Sequence, residues 1–454
     1  MKPVIVFLAP VTSVLRIWSG FFNYLRLRGF HVHLCASPNS NFHEIAENEG
    51  VEYTEIPIDR GSKHPLKDIQ TIKELIRLFR KIKPTIVVST TAKGCVIGTI
   101  AAKFADVPIR VMTHWGVITD GHKPITRQFY WLMMKTASLL ATAHTGCSDS
   151  VIRGSKKAKI AKDIYMMRHH VFTQGESEAG YVRIFSPSAK PLKEALVLRN
   201  KFKFPPNVPI IVNIGRITRY KGIFELIDAY KIVLESLPET RLIVVGPHDM
   251  IDPVPDALNW LNNHPQVIVT GGQWNLAPYY SIADLFICPS HREGNPIVVA
   301  EASAMGIPSV GFHVTGVCDA IADGITGTLV PFQESGTLAD AIVDYLKNPI
   351  KRFEHGQNAR RRVVENQLPE KVYAEHFQGY MDMLLHKGFS TPEPIGTIEP
   401  PPQIDFETDT LKLRIWQAAK QHLLHEESLD FVSKKFNADP VEVQKLVKSV
   451  YEIE

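Results

Sequence analysis

Cysteine is scarce and scattered in this 454-residue chain: Cys35, Cys95, Cys147, Cys288 and Cys318 form no C-x-x-C pair. That spacing excludes a usual zinc site and suits reduced thiols in a cytosol. Long apolar runs are missing too. None approaches the ~20 residues of a membrane-spanning helix, and the longest, Phe129 to Thr142, is broken by Lys135. The opening MKPVIVFLAP is too short for the apolar part of a secretion signal and lacks a small-residue cleavage site, so it reads as a first buried strand. Excess charge is absent: the formal net charge of +4 implies no nucleic-acid partner. What remains, 44% hydrophobic and 22% charged residues, is the composition of a globular protein able to bury large cores.

Apolar residues alternate between strand and helix spacing. Residues 3–9 and 30–36 read as strands, with a helical pattern through Leu27 and Gly29 as its stop. Leu66, Ile69, Ile72, Leu75, Ile76, Phe79 and Ile82 recur at helical spacing over 66–82; Lys83-Pro84 ends that helix and TIVVST follows as a strand. Helix 94–105, strand 109–113 and helix 125–140 continue the series. The rhythm restarts at 208 with VPIIVNI, a loop at 215–222, a helix over 222–236, and strands at 241–246, 266–271, 284–290, 308–312 and 327–332. Such alternation predicts an α/β protein of two Rossmann-like domains with parallel sheets covered on both faces. The domains are expected over 1–185 and 186–369, joined where Ser186-Pro187, Lys190-Pro191 and Pro205-Pro206 punctuate the chain. A further helix (370–389), a proline-rich linker (390–406) and an all-helical tail (407–454) follow.

Two segments carry chemistry. Gly215-Arg216-Ile217-Thr218-Arg219-Tyr220-Lys221-Gly222 lies at the carboxyl end of a predicted strand, where doubly wound sheets bind ligands. Glycine admits a phosphate close to the backbone, Arg216 offers a bidentate fork and Lys221 a point charge. The plain alternative is a basic surface loop. His291-Arg292-Glu293-Gly294-Asn295-Pro296-Ile297-Val298-Val299-Ala300-Glu301 follows a second strand. Asn295 suits a helix N-cap and Pro296 the first helical position. The amides of Ile297 and Val298 would then lie at the helix's positive end, which attracts anions. Glu293 and Glu301 can face one crevice at different depths. The plain alternative is a capped helix with two solvated glutamates.

Together these segments resemble the retaining glycosyltransferases of the GT-B fold, family 4 (group 1). That family's second domain carries a G-R-(x)-K-G loop and a Glu-x7-Glu motif, matched by Gly215/Arg216/Lys221/Gly222 and Glu293/Glu301. IVVGP at 243–247, TGG at 270–272, YYSIADLFICPS at 279–290, EASAMGIPSV at 301–310 and DGITGTLVP at 323–331 match as well. The amino-terminal half resembles the bacterial capsule and O-antigen branch through Thr90-Thr91-Ala92-Lys93-Gly94 and Thr113-His114-Trp115-Gly116. The resemblance implies two domains facing each other across a cleft. It further implies transfer of a hexose or N-acetylhexosamine from a nucleotide-sugar, UDP-sugar favoured, to a lipid-linked or glycan acceptor, with retention of configuration. In that reading Arg216 and Lys221 hold the diphosphate and Glu301 the ribose. Glu293, with the backbone of Gly294, Asn295, Pro296 and Ile297, meets the sugar and β-phosphate. Gly215, Gly246, Gly272 and Val298 join the nucleotide-binding set, and His114 stands near the reacting carbon or serves as a satisfied structural histidine. No Asp-x-Asp pair occurs, so no metal and no cofactor is expected, Arg216 and Lys221 taking the metal's place.

Three departures mark this chain: Thr12-Ser13 in the first loop, Gly175-Glu176-Ser177-Glu178-Ala179-Gly180-Tyr181-Val182 where an interdomain aspartate is usual, and Asp319 where glutamate is common. Aromatics among Arg16, Arg26 and Arg28, the apolar run 129–134, and Arg153, Lys156, Lys157, Lys159 and Lys162 suit a surface resting on anionic lipid, or else ordinary core faces beside a solvated basic helix. The expected location is cytoplasmic, peripheral on the inner face of the membrane. The tail looks like a helix-turn-helix with Leu429, Val432, Phe436, Val443, Leu446 and Val447 as its core. Its lysines are matched by acids, so it reads as a protein-contact or oligomerisation module rather than a nucleic-acid reader. Alternatives are a nucleotide-sugar epimerase of the same fold and a non-enzymatic scaffold or DNA-binding protein acting through the tail.

Overall fold

The computed structural model describes residues 2–10, 15, 18–38, 42–58, 65–117, 124–161, 165–166, 187–250, 252–394 and 405–452. Thr12-Ser13, Arg16, Lys162, the segment 175–182 and most of the proline-rich linker lie outside them. Two compact units result, Met1–Gly180 with Gln367–Pro401, and Tyr181–Asn366 with Pro402–Glu454.

In the first unit, strands β1 (Val4–Ala9), β2 (His31–Ala36), β3 (Glu52–Glu55), β4 (Ile86–Ser89), β5 (Ile109–His114), β6 (Ala143–Gly146) and β7 (Tyr165–Met166) make one parallel sheet in the order β3-β2-β1-β4-β5-β6-β7. Helices α1 (Phe21–Leu27), α2 (Phe42–Glu49), α3 (Pro65–Ile82), α4 (Ala92–Phe104), α5 (Pro124–Leu140) and α6 (Asp149–Lys157) belong to this unit. Strand β1 reads VIVFLA because both of its faces are covered: Phe7 belongs to one apolar cluster and Val6 and Leu8 to another. Helix α4 starts at Ala92, two residues before the expected start, after the N-cap Thr91, whose hydroxyl accepts from the Gly94 amide.

In the second unit, α7 (Ala189–Lys201) precedes β8 (Ile210–Ile214), α8 (Ile223–Ser236), β9 (Arg241–Val245), α9 (Pro255–Asn263), β10 (Val267–Val269), α10 (Ala277–Ile282) and β11 (Leu285–Cys288). Then come α11 (Ile297–Ala304), β12 (Ser309–Phe312), α12 (Val317–Ala320), β13 (Gly327–Val330), α13 (Ser335–Lys347) and α14 (Pro349–Asn366). The parallel sheet runs β10-β9-β8-β11-β12-β13. The alternation seen in the sequence is therefore two Rossmann-like sheets.

After residue 366 the chain serves both units in turn. Helix α15 (Pro369–His386) packs in the first, where Tyr380 is fully buried, its ring 6.2 Å from Phe7, and the Tyr373 hydroxyl donates to the Ser19 carbonyl at 2.8 Å. The tail helices α16 (Phe406–His425), α17 (Leu429–Phe436) and α18 (Pro440–Glu452) belong to the second. Val432, Phe436, Val443 and Val447 are buried as the pattern predicts, while Leu429 and Leu446 are half-buried. The tail's strongest attachments come instead from α16. Trp416 is wholly buried and its indole donates to the Ser188 carbonyl at 3.2 Å. Arg360 on α14 grips Asp409 through two hydrogen bonds of 2.8 and 2.6 Å.

Deeper in, Lys420 donates to the Ala283 carbonyl, and Arg352 and His425 approach Asp284 to 3.4 and 3.8 Å. Burial pulls the Lys420 pKa down to about 8 against the attraction of Asp284. Asp284 also accepts from the Ile210 amide at 2.9 Å, so the tail completes the ionic surroundings of a residue that fastens β8 to β11. Replacing Trp416 by alanine leaves a large cavity under α16 and is expected to destabilise the second unit by about 3–5 kcal/mol. A denaturant titration of Trp416→Ala within 1 kcal/mol of wild type would contradict this account.

Candidate active site

Strand order reverses at β8: β9 and β10 lie on one side of it, β11, β12 and β13 on the other. At such a point the connections diverge and leave a crevice beyond the carboxyl ends, where doubly wound sheets take their ligands. The two segments singled out by sequence both emerge here, 215–222 after β8 and 289–296 after β11. The His291 amide donates to the Tyr220 carbonyl at 2.8 Å and ties them. Gly222 is left-handed (φ 74°), and a Cβ on it would stand 1.8 Å from the Pro289 carbonyl oxygen, so only glycine lets the loops touch. Gly246, expected to face nucleotide, is explained by a similar approach: its Cβ would meet the Gly215 carbonyl oxygen at 1.7 Å. Beside Gly215 itself, by contrast, a Cβ would find no atom within 4 Å. Gly272, after β10, is exposed and at ordinary contact distance from Pro247.

The cations of the crevice are already paired. Lys221 Nζ lies 2.5 Å from Glu293 Oε1. Arg216 donates to the Asp249 carboxylate and to the Tyr220 hydroxyl, its side chain 46% exposed where that of Asp249 is 7% exposed. Arg216, Lys221 and Arg292 stand 5.4, 6.0 and 5.9 Å from the centre of the Tyr220 ring. The loop after β9 braces this group: Ile217 donates to the Pro247 carbonyl at 3.0 Å and Arg219 to the Asp252 carboxylate at 3.0 Å.

Helix α11 begins later than expected. Pro296, with ψ 102°, is its N-cap, Asn295 precedes it, and no side chain caps the helix. Just before it, the Glu293 amide donates to the Thr315 carbonyl at 3.0 Å, which ties this loop to the chain after β12. The helix N-terminus still lies directly after the loop that carries Glu293 and Gly294. The leading amides of a helix have no intrahelical acceptor and carry its positive end. Glu301 sits at the fifth position of α11, 4% exposed, with the Tyr280 hydroxyl donating to Oε2 at 2.7 Å. Arg216, Lys221, Glu293, Gly294 and the α11 start thus gather at one crevice, while Glu301 lies buried below it.

His114 belongs to the other unit. It is 2% exposed at the end of β5, with Nε2 3.2 Å from His144 Nδ1 and Nδ1 3.4 Å from Ser155 Oγ. Burial, then the neighbouring His144, lowers its pKa to about 3, so the ring is neutral. Both nitrogens have partners within the first unit.

Sequence reasoning passed over Tyr220, Asp249, Tyr280 and the contact of His291 Nε2 with Glu225 Oε1 (2.9 Å). Tyr280 lies within the quoted YYSIAD stretch and Tyr220 within the loop itself, but nothing in the pattern marks Asp249 or Glu225. The arrangement can hold a dianion: two cations, a third nearby and a helix start. Among the described residues no group of three or more His, Cys, Asp or Glu is arranged to hold a metal ion.

Known proteins resemble this chain in sequence and fold. A family model described as "Glycosyl transferases group 1" matches residues 196–362, and one described as "Glycosyl transferase 4-like" matches residues 5–144. The capsular polysaccharide biosynthesis glycosyltransferase CapM of Staphylococcus aureus is 28% identical over 381 residues, 83% of this chain and 96% of that protein. The UDP-Gal:alpha-D-GlcNAc-diphosphoundecaprenol alpha-1,3-galactosyltransferase of Escherichia coli is 22% identical over 333 residues, 71% of this chain and 81% of that protein. The crystal structure of Anabaena Alr3699/HepE in complex with UDP and glucose superposes with a TM-score of 0.66 at 17% identity, covering 84% of this chain and 99% of that one.

Burial raises the Glu301 pKa from 4.5 to about 7, while the Tyr280 hydrogen bond opposes the rise. The folded protein therefore binds this proton more tightly than the unfolded chain. The associated stability is full below the unfolded value and lost as pH rises through the folded one. Glu301→Gln should remove a component on the order of 3 kcal/mol and flatten the melting profile of the second unit between about pH 4 and 7. Superimposable profiles for the two proteins would refute the shift.

Proposed function

Because this chain belongs to the group 1 glycosyltransferases and has their two-Rossmann GT-B architecture, we propose that it transfers a hexose or N-acetylhexosamine from a UDP-sugar to a lipid-linked or glycan acceptor in surface-polysaccharide synthesis. The carrying observation is the gathering of Arg216, Lys221 and the α11 start on either side of the strand-order reversal. In this reading the donor diphosphate takes the place of Asp249 on Arg216 and of Glu293 on Lys221. Glu293, released, turns to the sugar, and the ribose hydroxyls donate to Glu301 in competition with Tyr280. As the glycosidic bond breaks, negative charge grows on the β-phosphate, and preorganised cations with helix amides stabilise it without a metal ion. A phosphate oxygen on the front face takes the acceptor proton as the new bond forms, which retains the anomeric configuration. The names of CapM and of the Escherichia coli galactosyltransferase support the acceptor class, and the latter together with the UDP complex supports the nucleotide.

A lipid-linked acceptor calls for contact with a membrane. No described helix is long and apolar enough to cross one. Helix α5, however, exposes Ile125, Phe129, Leu132 and Leu139 at 88%, 63%, 59% and 74%. At ~100° per residue these fall within an arc of about 80°. No acid occurs on α5. Trp131, Lys135 and Ser138 donate to the carbonyls of Ala158, Lys159 and Ile160, which brings the stripe beside the basic end of α6 with Lys156 and Lys157. An apolar stripe flanked by cations suits the surface of an anionic bilayer.

Arg216→Ala and Lys221→Ala should each lower transfer from UDP-sugar by about a hundredfold or more without unfolding the protein. UDP should raise the melting point more than GDP or ADP. Full turnover in both variants, or no shift with any nucleotide, would overturn the reading. Leu132→Glu with Phe129→Glu should weaken sedimentation with phosphatidylglycerol vesicles by about tenfold while turnover of a soluble acceptor analogue stays unchanged. Undiminished vesicle binding would remove the α5 stripe from the account.

A further inference from the structure

We infer that Tyr220 is a positioning residue that holds the cations of the donor site in register, an assignment that rests on the diphosphate reading above. Its phenol oxygen accepts from Arg216 Nη2, while Asp249 takes Nη1. The guanidinium is thus fixed from two sides, and when a phosphate takes the place of Asp249 on Nη1 the Tyr220 hydroxyl still holds Nη2. The same ring has three cationic groups about it, Arg216, Lys221 and Arg292, at 5.4 to 6.0 Å from its centre. Cations at that range are drawn to the negative face of an aromatic ring. Arg216 and Lys221 leave one loop and Arg292 the other, so the ring serves charges from both sides of the crevice. The main chain of Tyr220 has its own task, since its carbonyl accepts from His291 across the same seam. That bond survives side-chain substitution.

Long basic side chains lose several torsions when they close on a phosphate, and like charges brought together oppose one another. A half-buried tyrosine between them settles both before the donor arrives. Part of the ordering is already present in the free protein, which is the meaning of preorganisation. Nothing in a G-R-(x)-K-G pattern specifies the residue before the lysine. The role is visible only from the distances.

The test compares Tyr220→Phe, which keeps the ring and loses the hydroxyl, with Tyr220→Ala, which loses both. Tyr220→Ala should raise KM for UDP-sugar by about tenfold or more and lower kcat, and Tyr220→Phe should raise KM by about threefold with kcat unchanged. Both should melt within about 2 °C of wild type in the absence of nucleotide, because the residue is a surface-side clamp rather than core. In an Arg216→Ala background the Phe substitution should be silent, since the group it positions is gone. KM within twofold of wild type in Tyr220→Ala, with transfer lost in Arg216→Ala, would overturn the Tyr220 assignment alone. Unchanged transfer in Arg216→Ala would overturn the diphosphate reading and this one with it. Should Tyr220→Ala fail to fold, Tyr220→Phe decides: additive effects of Tyr220→Phe and Arg216→Ala on KM refute the clamp.

Discussion

The seam between β8 and β11 is the constraint from which the second unit takes its form. It is fastened along its whole length. At the amino end, Asp284 accepts the Ile210 amide; midway, the Asn213 side chain donates to the Ile287 carbonyl at 2.9 Å; beyond the carboxyl end, Gly222 nests on Pro289 and His291 reaches the Tyr220 carbonyl. Where a fastening is a buried hydrogen bond, as at Asp284 and Ile210, leaving a partner unmatched is costly. The register of these two strands then leaves little freedom to the loops that follow them. A displacement of one strand along the other would part the basic loop from the helix start, so sheet pairing and site geometry are one problem.

Charge is handled by exchange. In the crevice Arg216 has Asp249 and Lys221 has Glu293, so neither cation stands alone. In the function proposed here, an entering anion would replace one oxyanion by another, and the net cost of desolvating the cations would be shared with partners already present. The exposed side of Arg216 and the nearly buried side of Asp249 give that exchange a direction, from the solvent face inward. Below, Glu301 faces the opposite condition: burial favours its neutral form, and a group that donates hydrogen bonds to it would restore the charge.

Much of this was legible in the sequence. Runs such as VIVFLA and IIVNI are apolar at every or nearly every position because parallel strands are covered on both faces, and that signal survives without any partner being known. Arg216, Lys221 and Glu293 could be named because loops at strand ends carry short fixed spacings. The start of α11 was misplaced by one residue: Asn295 and Pro296 have good capping chemistry, but Pro296 is extended (ψ 102°), and the Glu293 amide before it is bonded to Thr315, a partner distant in sequence. Asp249 and Tyr280 escaped notice for the same reason: their partners lie 33 and 21 residues away. His114 was singled out by residue type, and its partners His144 and Ser155, 30 and 41 residues away, could not be read from the pattern. For the tail, periodicity found three helices but could not reveal that Lys420 and His425 were meant for Asp284.

Both units are interrupted in the chain: the first is finished by Gln367–Pro401 and the second by Pro402–Glu454. During synthesis the ribosome therefore delivers two nearly complete sheets before either has its last covering. Until α15 emerges, Phe7 and Phe21 lack Tyr380, and until α16 emerges the surroundings of Asp284 lack Lys420 and His425. Maturation of the two halves is thereby deferred to the end of translation, and a prematurely terminated product would display the very surfaces by which quality-control machinery recognises unfinished proteins.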